Sequence, residues 1–171
     1  MDNENSKQNE RAEVVQILDA SREQVWHAFT DPVTFAAWWC PDGFTATCEL
    51  DVRMGGVVSV EMVGPDGTKY PSTGTYKEVT APDKLSFLQT PLNAAGEPIF
   101  EVLQTAVFSD EEGGSKTKLV LTNEVLSQTP EAAPYLAGMA EGLNQCVAKL
   151  ARLLAADSGA NEPDTTSVPT T

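Results

Sequence analysis

With one histidine in 171 residues, His27, the chain lacks the imidazoles that a histidine-rich metal site needs, and Ser-His or Cys-His nucleophile systems shrink to a single candidate. That residue follows Trp26 on a short helix and reads as a surface position. Cysteine is scarce as well. Cys40, Cys48 and Cys146 are odd in number and match neither a disulfide framework nor paired C-x-x-C blocks, so they read as reduced, buried thiols. No stretch approaches the roughly 18 apolar residues of a membrane-crossing helix, and MDNENSKQNER has no apolar signal core; a cytoplasmic location is the expectation. Gly-rich phosphate loops, H-E-x-x-H and dinucleotide fingerprints are missing too, so neither a cofactor nor a metal is expected. Positive charge is short: 11 basic against 25 acidic residues leave a net charge of −14, most of it between residues 12 and 156. Such a surface repels phosphate backbones and anionic headgroups, which argues against nucleic acid and membrane partners.

What is present reads as one domain over residues 12–156, between polar tails at 1–11 and 157–171 whose composition predicts disorder. EVVQILDA predicts a strand, and Ser21 with Gln24 three positions on is a capping-box signature for a short helix. Asp31-Pro32 repeats the start signal for a second short helix that Pro41 stops. Six runs then follow, FTATCELDV, VVSVEMV, STGTYKEV, LSFLQ, EVLQTAVF and KLVLTNEV, separated by turn chemistry such as Pro65-Asp66-Gly67. Strands in succession with no helix between them predict an antiparallel meander. From Tyr135 to about Ala156, Leu136, Met139, Leu143, Val147, Leu150 and Leu154 recur every three or four residues, the stripe of one long helix. The fold class is therefore α+β, a sheet of about six to seven antiparallel strands closed by a C-terminal helix.

The motifs DASREQVWHAFTDP, WWCP, DVRMGG, PDGTKY, GTYKEV, DKLSF, TKLVLT and GMAEGLNQ, in this order over residues 13–156, resemble the family named for the activator of the heat-shock-protein-90 ATPase, within the START-like (SRPBCC) superfamily. The resemblance implies a helix-grip fold, in which a curved sheet holds the terminal helix. Cys40 stands where that family more often has glycine, and Leu143 where it commonly has tryptophan. Replacing an indole by an isobutyl group beneath the helix leaves room, so Leu143 implies either an enlarged cavity or compensation by Met139 or Phe87.

Strand alternation places Val58, Val60 and Met62 on one inward face, Leu85, Phe87 and Gln89 on the next, and Val102, Gln104, Ala106 and Phe108 on a third. Gln89 and Gln104 interrupt apolar rows, and a buried amide must find a partner in a side chain, water or a ligand. Trp38 and Trp39 are about 100° apart on a helix and cannot both face one spot, so either one packs in the core with the other at a pocket rim, or both are packing residues. Arg53 and Glu78 read as an edge salt bridge or turn contact, and Gly55-Gly56 as a bend or bulge. No catalytic residue is assigned; acid-base chemistry would have to draw on Asp51, Glu61, Tyr76 or Glu78. The expected function is noncatalytic binding of a small apolar or amphipathic molecule between helix and sheet. Its pocket would comprise Trp38, Trp39, Val58, Val60, Phe87, Gln89, Gln104, Phe108, Met139, Leu143 and Val147. A chaperone-associated interaction module and a cyclase-type or hydrolase-type enzyme are the rival readings, and edge strands leave homodimer pairing open.

Overall fold

The computed structural model describes residues 11–161. Of the tails 1–11 and 157–171 expected to be disordered, residues 1–10 and 162–171 lie outside the described residues, whereas Arg11 begins the first strand and residues 157–161 continue the terminal helix. Seven strands form one antiparallel sheet: β1 (Arg11–Leu18), β2 (Thr45–Leu50), β3 (Val57–Val63), β4 (Lys69–Thr80), β5 (Lys84–Pro91), β6 (Phe100–Glu111) and β7 (Lys116–Gln128). Their order is β1-β7-β6-β5-β4-β3-β2. Every connection after β2 is thus between neighbours, as the meander requires, and β1 closes against β7.

The helices start where side-chain chemistry dictates. Ser21 caps α1 (Arg22–Thr30): its N–H donates to Gln24 Oε1 at 2.9 Å while the Gln24 N–H donates to Ser21 Oγ at 3.3 Å. Asp31 caps α2 (Pro32–Trp38), accepting from the Thr34 N–H at 3.0 Å and the Thr34 hydroxyl at 2.7 Å. Those bonds to its charged form hold the Asp31 carboxyl below the usual range. α1 turns Val25, Ala28 and Phe29 inward, and α2 adds Phe35 and Trp38.

The terminal element differs from the single helix that the stripe predicts. It is broken at Gly138 into α3 (Ala133–Ala137) and α4 (Met139–Asn161), with Gly138 at φ −101° and ψ 5°. Glycine costs about 1 kcal/mol in a helix interior, and a Cβ at Gly138 would meet nothing within 4 Å, so no packing compels the helix to continue through it. The break separates two clusters. Leu136 joins Ile99, Phe100, Val102 and Ala132, whereas Leu143, Cys146, Val147, Leu150 and Leu154 pack into the main core with Val58, Leu85 and Leu121.

Gly55-Gly56 is a turn rather than a bulge. The Gly55 N–H donates to the Tyr76 carbonyl at 2.9 Å and the Tyr76 N–H to Gly56 at 3.0 Å, tying the β2–β3 connection onto β4. Register shifts fall instead on β4, between Tyr76 and Glu78, and on β6, between Glu101 and Val102. Close backbone approach requires glycine both at Gly56, where a Cβ would lie 1.9 Å from the Asp51 carbonyl oxygen, and at Gly74, where it would lie 1.7 Å from that of Leu88.

Candidate ligand chamber

The space between sheet and helices has two unlike ends. At the end under α1 and α2 aromatic rings fill it: Phe29 lies 4.7 Å from Trp38 and 5.1 Å from Phe108, and Phe35 lies 6.2 Å from Phe87, all as edge-to-face pairs. Trp38 is fully buried and its Nε1–H donates to the Ala28 carbonyl at 2.8 Å. The other end, beneath α3 and the start of α4, holds a chamber of about 360 Å³. Trp39 stands at the boundary, stacked on Phe35 at 5.0 Å and lining the chamber.

A row of polar side chains crosses the inner sheet face at this end. Ser72 on β4, Gln89 on β5, Gln104 on β6 and Asn123 on β7 are all buried, and all line the chamber. Gln104 and Asn123 are register partners. Gln104 Nε2 donates to Gln89 Oε1 at 3.1 Å, Gln89 Nε2 donates to Ser72 Oγ at 2.9 Å, and the Ser72 hydroxyl donates to the Val60 carbonyl at 3.4 Å. Three buried polar atoms of the lining residues have no partner within the protein: Gln104 Oε1, Asn123 Oδ1 and Trp39 Nε1. The rest of the wall is largely apolar or aromatic, with Met62, Phe100, Met139 and Leu143 among it.

Of the residues expected to form a pocket, Trp39, Gln89, Gln104, Met139 and Leu143 meet at this chamber. Trp38, Val58, Val60, Phe87, Phe108 and Val147 do not; they belong to the packed core. The expectation that one tryptophan is core and the other lining therefore resolves as Trp38 in and Trp39 lining. Asn123 escaped the sequence reading although it breaks the apolar alternation of Leu119 and Leu121, the signal that singled out the two glutamines. Ser72 gave no signal, because a serine in YPSTG looks like any strand hydroxyl.

The acid-base candidates sit elsewhere. Asp51 pairs with Arg53 at 2.8 Å and Glu78 with Lys84 at 3.3 Å, both on the surface. Glu61 alternates with the inward Val60 and so lies on the opposite face. Tyr76 is buried against Phe87 in the packed half, where desolvation pushes its phenol well above the ordinary range. His27 is exposed. Burial raises the Cys146 thiol, in the chamber wall, to about 12. The Cys48 thiol, half-buried and donating to the Pro32 carbonyl at 3.0 Å, is raised to about 11, mainly by burial and then by the Asp31 charge. Cys40 is buried, with Lys149 Nζ donating to its sulfur at 3.4 Å. A larger depression of about 530 Å³ lies on the outside between α2 and β2, but none of the unpartnered buried atoms belongs to its lining. Among the described residues no group of three or more His, Cys, Asp or Glu could hold a metal ion, and no helix is long and apolar enough to cross a membrane.

Comparison with known proteins bears on this geometry. The family model described as Activator of Hsp90 ATPase homolog 1-like protein matches residues 19–155. A crystal structure of a Chromobacterium violaceum protein is 26% identical over 85% of this chain and 96% of its own, with a TM-score of 0.70. A solution structure from Arthrobacter aurescens is 26% identical over 85% of this chain and 86% of its own, with a TM-score of 0.75. A crystal structure of a Rhodobacter sphaeroides protein is 28% identical over 85% of this chain and 92% of its own, with a TM-score of 0.70. No curated protein matches the chain.

Proposed function

The chain belongs to the Activator of Hsp90 ATPase homolog 1-like family, and from its helix-grip architecture we propose that it binds a small amphipathic molecule, without chemical conversion, in the chamber beneath α3 and α4. The observation that carries this reading is the composition of one cleft: apolar walls of ligand-sized volume, about 360 Å³, with a buried polar row along the sheet. A core that existed only for stability would gain by filling that space, since each uncompensated void lowers stability and each unpartnered buried polar atom costs about 1–3 kcal/mol. The lining described carries no carboxylate, imidazole or amine; its ionisable groups are the Cys146 thiol, which burial holds protonated, and the phenols of Tyr70 and Tyr135, and its other polar groups suit orienting a ligand.

Native mass spectrometry of freshly purified protein tests the proposal together with Leu143→Trp, which puts an indole where the chamber wall now has an isobutyl group. A copurified small molecule on the wild type that is absent from a folded Leu143→Trp supports it. Equal retention by both proteins would place the ligand elsewhere.

A further inference from the structure

The chamber wall also constrains the head group of its ligand, an inference that rests on the binding reading above. The hydrogen bonds of the polar row have a direction. Because the Ser72 hydroxyl donates to Val60, it accepts from Gln89 Nε2; Gln89 Oε1 is then left to accept from Gln104 Nε2, and Gln104 Oε1 ends the relay as an uncommitted acceptor. Asn123 Oδ1, on the register partner of Gln104, is a second such acceptor, and Trp39 Nε1–H is an uncommitted donor. These three residues are each more than nine-tenths buried. No Lys, Arg, Asp or Glu is among the lining residues described.

An ionised carboxylate only accepts; it could take the Trp39 N–H, but it would also face the two acceptor oxygens, with no cation in the lining to offset its desolvation. An ammonium only donates and would leave the Trp39 N–H unserved while burying a charge without a counterion. A hydroxyl or an amide does both. We propose that the chamber selects an uncharged amphiphile with a hydroxyl or amide head, and that Gln104 and Asn123 are the specificity-determining acceptors.

Isothermal titration of the full chain with 1-octanol, its isomer methyl heptyl ether, and octanoate tests this. Partitioning into an apolar space alone favours the ether, which lacks a donor, whereas the inference predicts that the alcohol binds about fivefold more tightly, the worth of one net hydrogen bond. Octanoate at pH 8 should bind at least roughly tenfold more weakly than the alcohol. The alcohol's advantage over the ether should vanish in Gln104→Leu or, if that variant does not fold, in Asn123→Leu. An ether or octanoate that binds wild type as tightly as the alcohol overturns the inference while leaving a chamber, as does an advantage that survives both substitutions. If none of the three probes binds wild type, the binding reading itself falls and this inference with it.

Discussion

Gln104 Nε2 donates to Gln89 Oε1 across the β5–β6 pair at 3.1 Å, and Gln104 Oε1 is left buried without a partner. Two amides on one apolar sheet face are thus coupled, and the coupling is measurable. Gln89→Leu strips partners from both Ser72 and Gln104, so it should destabilise the protein by about 1–3 kcal/mol in urea unfolding. Gln89→Leu combined with Gln104→Leu removes both ends of the bond, and its cost should fall well short of the sum of the single variants. Additive costs would mean the two amides act independently.

Trp38 and Trp39 should respond differently to truncation. Trp38 is enclosed by Phe29 and Phe35 and its N–H is satisfied by Ala28, so Trp38→Ala should cost about 3–5 kcal/mol. Trp39→Phe keeps a ring against Phe35 and removes an unpartnered N–H, so it should change stability by less than about 1 kcal/mol. Urea midpoints of the two variants give the comparison; a Trp39→Phe loss as large as that of Trp38→Ala would contradict the boundary position of Trp39.

The break at Gly138 makes a third prediction. Its φ is negative and a Cβ there would touch nothing within 4 Å, so Gly138→Ala should raise stability by about 0.4–1 kcal/mol through the unfolded chain's lost freedom. A fall in thermal midpoint would show that the break is required by contacts around α3.

Alkaline conditions probe the chamber wall. The Cys146 thiol moves from 9.0 to about 12 because burial disfavours its thiolate, so the folded state holds its proton where the unfolded chain releases it. The stability this supplies is complete below pH 9 and is lost progressively as pH rises toward 12. Urea midpoints followed over that range should fall less steeply in Cys146→Val than in wild type. Identical slopes would mean that Cys146 ionises freely in the folded protein.

Much of the fold was legible because its signals are local. The Ser21 and Asp31 caps, the Pro65-Asp66-Gly67 turn and the alternation of Val102 and Phe108 each report on a few neighbouring residues. The chamber was legible only in part, because its boundary depends on how far distant aromatic rings fill a shared space. Phe87, Phe108 and Val147 share inward faces with Gln89, Gln104 and Leu143, so periodicity alone could not tell the packed end from the open one. Tyr135, whose ring centroid lies 6.1 Å from that of Phe100 at the start of β6, enters the chamber wall on the short α3 that the break at Gly138 sets off, which the stripe of a continuous helix does not foreshadow.

The indole N–H resonances of ¹⁵N-labelled protein titrated with 1-octanol test the chamber most directly. Trp38 already donates to Ala28, whereas Trp39 lines the chamber with its N–H uncommitted. A saturable shift of the Trp39 resonance with Trp38 unmoved is the predicted result. A Trp39 resonance that stays in place while the alcohol binds, or a shift confined to Trp38, would contradict binding in this cleft.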